Sequence, residues 1–277
     1  MSVVRLSAAR VSGSLARWGP TASLIIALAV LWEGLSWILA NVARVPLAQS
    51  RLPYVHEVLK TFAVYWPVLA KEASVTSVTV AEGFALGAFT GVSLALLMSL
   101  SRTAERILMP YATASQMVPI LGLAPIIYGI VHDENVARIL IAAYVTFFPV
   151  ALNTLRGLTG TPPQAVELMK TYAASIWQTY WKVRLPAALP ALAGGMKIAA
   201  PLSVTGAILV ELMGAQHGIG VLLLRNLYYG PSHAYMFWAT LITGALMGLA
   251  GYGLVQVIER IFVPWQPEFR RKGGARP

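Results

Sequence analysis

TPPQAVELMKTYAASIWQTYWKVRLPAALPAL, residues Thr161 to Leu192, is a polar and aromatic stretch set between two apolar runs. Pro162 and Pro163 give a helix start signal, and Gln164 to Met169 form a short helix. Ala173 to Ser175 allow a turn, and Ile176 to Val183 form a second helix that Pro186 stops. On that second helix Ile176, Tyr180 and Val183 share one face, with Trp177 and Trp181 beside it. Amphipathic helices carried on a loop between membrane spans dock either on lipid headgroups or on a partner protein, and both readings stay open at this point.

The flanking runs decide the solvent. Of the 277 residues, 57% are hydrophobic and 12% charged, with a mean hydropathy of +0.66, whereas soluble chains are about a quarter charged. Lipid must replace water around most of this chain. A helix needs about 20 apolar residues to cross a roughly 30 Å hydrocarbon core. Six segments are expected to do so: Thr21 to Ala43, Val75 to Leu100, Ile107 to Val131, Ile139 to Leu155, Leu189 to Met213 and Ala234 to Ile258. The third contains Pro110, Pro119 and Pro125 and is read as one proline-kinked span. The first is longer than a signal-peptide core and reads as a retained helix. The fold class is therefore all-α, a polytopic membrane bundle of about six helices.

Lys and Arg favour cytoplasmic loops. With the N-terminus inside, 14 of the 21 basic residues fall on the cytoplasmic side: Arg5, Arg10, Arg17, Arg102, Arg106, Arg156, Lys170, Lys182, Arg184, Arg260, Arg270, Arg271, Lys272 and Arg276. Both termini are expected there. The chain divides into a basic N-terminus (1–20), a transmembrane domain (21–260) holding the loop 161–188, and a basic tail (261–277). The tail reads as a topology signal rather than a nucleic-acid arm. His56, His132, His217 and His233 fall in outer loops and are assigned no metal. Cysteine is absent, which excludes thiolate chemistry.

Charges inside spans are costly and mark solute or ion paths by default. Glu33, Glu82, Lys197 and Glu211 qualify; Glu211 is expected near the outer interface, solvated there, and the Lys197 stem is expected to reach toward the cytoplasm. With Gln116, Asn153 and Ser203, Lys197 and Glu211 form the candidate pathway set. Gly83, Gly87 and Gly91, and also Gly244 and Gly248, make smooth strips for close helix packing or a subunit interface.

Glu167 through Pro186 resembles the EAA loop of binding-protein-dependent ABC importer permeases, Glu-Ala-Ala, three residues, Gly, nine residues, Ile-x-Leu-Pro. Glu167 matches the glutamate, Leu168 and Met169 replace the alanines, and Ala173 stands at the glycine. Val183, Leu185 and Pro186 match the end. LPYVHEVL (Leu52–Leu59), EGFALGAFTGVSLALLMSLSR (Glu82–Arg102), FFPVALNTLRGL (Phe147–Leu158), KVRLPAALP (Lys182–Pro190) and VELMGAQHGIG (Val210–Gly220) resemble the sulfonate, taurine, nitrate and bicarbonate branch.

The resemblance implies a type I ABC importer permease in a bacterial inner membrane. Its partners would be ABC ATPase subunits, an extracytoplasmic solute-binding protein and a second copy of the permease, with no nucleic acid. Glu167, Ala173, Ser175, Trp177, Leu185 and Pro186 are the implied ATPase-coupling residues. The loops Val131–Val136 and Gly214–Gly220 would meet the binding protein. No phosphate loop of the form G-x-x-x-x-G-K-[ST] occurs in the chain, so ATP is expected on a separate subunit, with no cofactor in this chain and no catalytic residue. Pyrimidine thiamine precursors or riboflavin-like molecules are the alternative cargo. An ion-coupled secondary transporter is the rival of another class.

Overall fold

The computed structural model describes residues 3–266, with side chains from residue 19 onward. The orienting charges at Arg5, Arg10, Arg17, Arg270, Arg271, Lys272 and Arg276 lie outside the described side chains. Every regular element among the described residues is helical. In chain order they are α1 (Val3–Trp37), running into a π-helical turn at Ile38–Val42, then α2 (Ala48–Arg51), α3 (Val55–Val64) and α4 (Trp66–Leu100). Next come α5 (Arg102–Ser115), α6 (Ile120–Val131), α7 (Glu134–Thr159) and α8 (Pro163–Thr171). Then follow α9 (Ile176–Thr179), a π-helical turn at Tyr180–Arg184, α10 (Leu185–Glu211), α11 (Ile219–Tyr228) and, after a 3-10 turn at Gly230–His233, α12 (Ala234–Phe262).

Among the described residues, five continuous helical stretches are long and apolar enough to cross a membrane: Gly19–Val42, Trp66–Leu100, Glu134–Thr159, Ile176–Glu211 and Gly230–Phe262. The expected third span differs. Instead of one kinked helix, α5 and α6 are separate and meet at 95°. Pro110 and Pro125 are absorbed inside helices. Pro119 is not: it caps α6 in an extended conformation and cannot continue α5.

The chain forms two compact units, residues 1–66 with 225–239, and residues 67–224 with 240–277. In the first, three side chains of α1 hold the segment that starts α3. Trp32 donates its indole N–H to the Pro53 carbonyl (2.9 Å) and Ser36 donates to Leu52 O (2.7 Å). Glu33 accepts from Val55 N (2.7 Å) and pairs with His56 Nδ1 (2.5 Å). A carboxylate on the first N–H of a helix satisfies an orphan donor and meets the positive end of its dipole. Glu33 and the LPYVHEVL stretch thus make one helix-start clamp.

The second unit is organised by α7. Gly83, Gly87 and Gly91 of α4 lie on its backbone: added Cβ atoms would come within 2.7 Å of Ile139 O, 2.6 Å of Thr146 Cβ and 3.1 Å of Ala151 N respectively. The partners ascend with the glycines, so α4 and α7 run parallel in close contact. On the other side, Gly195 of α10 sits where a Cβ would be 2.7 Å from Pro149 O. Small residues are the means of close approach where lipid offers no hydrophobic drive. Gly244 and Gly248 differ: they border an open apolar groove with Pro201, Ile208 and Leu249.

Gly87→Ala is expected to destabilise the detergent-solubilised protein by about 1–3 kcal/mol through overpacking against α7. Gly122→Ala, at a helical position with nothing within 4 Å, should leave the thermal midpoint unchanged or raise it. Equal midpoints for the two variants would contradict the packing assigned to the strip.

Candidate functional site

The loop between α7 and α10 folds as two unlike pieces. α8 starts with Pro163 in its first turn, where the missing N–H costs nothing. Its end is a Schellman turn: Ala174 N donates to Met169 O (3.0 Å) and Ala173 N to Lys170 O (2.9 Å). Ala173 adopts φ +49°, the left-handed region. The turn that glycine makes in the resembling family is thus kept here by an alanine, at a cost of roughly 1–2 kcal/mol. Ser175 then opens α9 with a capping box, accepting from Gln178 N (3.2 Å) while Gln178 Oε1 accepts from Ser175 N (2.8 Å).

The second helix does not stop at Pro186. α9, the π turn and α10 form one continuous stretch, Ile176–Glu211. Leu185 N donates to Tyr180 O, five residues back. That wide turn shifts the ladder just where the proline removes an N–H and its ring needs room. Leu185 and Pro186 are therefore the joint between the loop and the span, and a displacement of α9 acts directly on α10. Tyr180 is buried and donates to Ser99 O at the end of α4 (2.7 Å), with the Arg184 guanidinium 5.0 Å over its ring. Tyr180 thereby parts from Ile176, which is exposed although it lies on the same expected face. Tyr172, Ile176, Trp177 and Trp181 are all exposed, Tyr172 at 75% and Trp181 at 70%. Glu167 on α8 is also exposed. Exposed aromatics in such number mark a surface meant to be covered.

At the other end of α7 and α10 lies a buried charge network. Glu211 is 0% exposed and Arg138 1%, so Glu211 is not the solvated interface residue expected from the sequence. It accepts from Thr76 Oγ1 (2.8 Å), Arg138 Nη1 (3.3 Å) and Gly220 N (2.8 Å). Arg138 also donates to Glu134 Oε1 (3.0 Å), Asn135 Oδ1 (2.7 Å) and the His217 carbonyl (3.2 Å). Glu72 accepts from Gly218 N (2.7 Å) and Glu134 from Gln216 N (3.0 Å). At Gly218, φ is +124° and a Cβ would land on the Glu211 carboxylate. Only glycine fits that position. The two loops singled out for a binding protein, Val131–Val136 and Gly214–Gly220, are thus tied to each other. Asp133 caps α7 through Asn135 N (2.8 Å) and Val136 N (3.0 Å).

Four of the five pathway candidates are engaged internally. Ser203 is buried and donates to Ala200 O (2.8 Å), Asn153 donates to Pro149 O (2.8 Å), and Glu211 sits in the network. Lys197 pairs with buried Glu259, near the C-terminal end of α12. Gln116, at the end of α5, is exposed. Thr76, Arg138 and Glu259 were not signalled as site residues by the sequence, although Glu134 and Arg138 stand one helical turn apart. Among the described residues no group of His, Asp or Glu is placed to hold a metal ion.

Removing one partner of a buried pair leaves a bare charge, so Arg138→Met is expected to cost about 3–5 kcal/mol. Adding Glu211→Gln to it should recover most of that loss in a thermal unfolding series. No recovery in the double variant would contradict the pairing.

Residues 83–264 match the family model described as "Binding-protein-dependent transport system inner membrane component". The chain is 32% identical to the formylaminopyrimidine transport permease ThiX of Halalkalibacterium halodurans, over 69% of this chain and 76% of that one. It is 32% identical to the riboflavin transport permease RibX of Chloroflexus aurantiacus, over 60% of this chain and 61% of that one. It is 30% identical to the putative aliphatic sulfonates transport permease SsuC of Escherichia coli, over 69% and 72%. A crystal structure of an amino acid ABC transporter with histidines shares the fold, with a TM-score of 0.57 at 17% identity, covering 72% of this chain and 96% of that one. The chain is a non-catalytic, multi-pass membrane permease subunit of an ABC importer, and it belongs to the family of binding-protein-dependent transport system inner membrane components.

Proposed function

We propose that α8 and the exposed aromatics behind it are the surface on which a separate ATP-hydrolysing subunit pulls. In this reading the loop 161–188 and both chain termini are cytoplasmic. A second copy of the chain completes the passage, and an extracytoplasmic binding protein delivers solute at the end where Glu211 ties the loops together. The observation that carries the reading is mechanical. α8 is a separate helix held by its own turn and cap, whereas α9 is continuous with the span Ile176–Glu211. A force applied at α8 is passed through Tyr180 to α4 and through the π turn to α10, two elements of one packed unit. Glu167, Ala173, Ser175, Trp177, Leu185 and Pro186 divide accordingly. Glu167 and Trp177 face the partner, Ala173 and Ser175 shape the turn, and Leu185 and Pro186 form the joint.

For the cargo, we propose a small polar organic solute carrying a heteroaromatic ring, of the pyrimidine type. Two cations inside the spans, Arg138 and Lys197, are already held by carboxylates. An anion such as a sulfonate, nitrate or bicarbonate would find neither free. The names of the ThiX and RibX relatives support the same class, and the SsuC relative keeps sulfonates as the second reading.

Leu168→Asp, at an exposed apolar position of α8, should abolish co-purification of the ATPase while membrane insertion is unchanged. Wild-type recruitment by this variant would refute the docking surface. In reconstituted vesicles, a formylaminopyrimidine should stimulate binding-protein-dependent ATP hydrolysis at least about tenfold more than taurine, a difference of 1.4 kcal/mol. Stronger stimulation by taurine would return the assignment to sulfonates.

A further inference from the structure

The side-chain Nδ2 of Asn226 is buried without a hydrogen-bond partner, and only 5% of the residue is exposed. A buried donor left bare carries its full desolvation cost, so such a group calls for an occupant. Asn226 lines a cavity of about 350 Å³ that lies wholly within the first compact unit. Around it stand Ser50 and Arg51 from α2, Leu227 beside Asn226 on α11, and Phe237 and Trp238 from α12. These walls are fixed to one another. Ser50 donates to the Pro231 carbonyl (3.4 Å), Tyr235 donates to Gln49 Oε1 (2.8 Å), and Trp32 meets the Trp238 ring edge-on at 4.9 Å.

The cavity changes character with depth. Arg51 lies beyond the end of the apolar stretch Gly19–Val42, and Gly230 opens the stretch Gly230–Phe262. Phe237 and Trp238 lie deeper, in the first two turns of α12. Next to the cavity Tyr228 and Tyr229 are exposed, as aromatics are where a span leaves the hydrocarbon for the headgroups. The polar rim is therefore at headgroup level and the apolar walls are in the hydrocarbon. Arg51 is exposed, and no carboxylate pairs with it among the described residues. A guanidinium beside an amide is a strong receptor for phosphate oxygens. Water would satisfy the amide but would leave Leu227 and Phe237 wet. A carboxylate from a protein partner would reach Arg51 and leave the apolar depth empty.

We propose that this cavity is a phospholipid site. Arg51 and the Asn226 amide hold the headgroup phosphate, and one acyl chain lies along Leu227, Phe237 and Trp238. The lipid supplies the acceptor that the chain itself lacks and fastens the start of α12 to α2 and α11. The site needs neither the ATPase nor the cargo, so it does not rest on the function proposed above.

Thermal unfolding of the delipidated full-length protein in detergent, titrated with phosphatidylglycerol, tests the proposal. The wild-type midpoint should rise with lipid, because a ligand of the folded state stabilises it. Arg51→Gln should need at least about tenfold more lipid for the same rise, the loss expected for one charge-assisted hydrogen bond, and Arg51→Lys should recover part of it. Asn226→Leu should lose response to lipid while starting at or above the wild-type midpoint, because it removes the bare donor. A response of Arg51→Gln equal to wild type would overturn the proposal. So would an equal wild-type response to diacylglycerol, which has no phosphate, or to inorganic phosphate, which has no chain. Unchanged lipid response in Arg51→Gln together with weaker capture of the solute-binding protein would assign Arg51 to that partner and overturn it as well.

Discussion

Three glycines of α4 lie against the backbone of α7, and that contact sets the constraint from which the rest of the bundle follows. Two helices in close contact, running the same way, cannot be joined by a short turn. The chain has to recross the membrane between them, and it does so with a broken pair rather than a straight span. On its opposite side α7 receives Gly195 of α10, and the antiparallel α7–α10 pair projects the loop with α8 and α9 from one end. The same pair brings Arg138 and Glu211 together at the other.

Those two ends have different physical characters. The Glu211 end is an ion network centred on two buried charges, Arg138 and Glu211, in which carboxylates, a guanidinium and backbone amides satisfy one another. Such a network costs desolvation and returns geometry. It fixes the backbone of the loop 214–220 more tightly than apolar packing would. The α8 end is the reverse. Its turns are capped locally, Tyr172, Trp177 and Trp181 are uncovered, and Tyr180 ties it to the end of α4 through Ser99. An end fixed by ion pairs and an opposite end left uncovered are compatible with a channel moved by an external motor, with α10 running between them.

The fold was legible because hydropathy runs report lipid contact directly, and the five continuous spans appear close to where the runs lie. The broken span was not, because a proline in an apolar run reads the same whether neighbours repair the helix, as at Pro125, or leave it broken, as at Pro119. Pro186 misled in the other direction. A π turn ahead of it lets the helix pass, and no residue pattern announces that turn. Among the site residues, the loop was readable from its prolines, its turn and its aromatics. The buried charges were not: the sequence marked Glu211 and Lys197 without their partners, because pairing across 73 residues, as between Arg138 and Glu211, depends on helix register. Glu259 lay just beyond the expected end of the last span and was left out for that reason.

The account stands on the division of work between a passive bundle and an ATP-hydrolysing partner. Uptake into proteoliposomes tests it most directly, comparing this chain alone under an ion gradient with the chain assembled with its ATPase and binding protein. Accumulation against a gradient only when the ATPase is present and nucleotide is hydrolysed is the predicted result. Uphill accumulation by the chain alone, with no nucleotide, would contradict it.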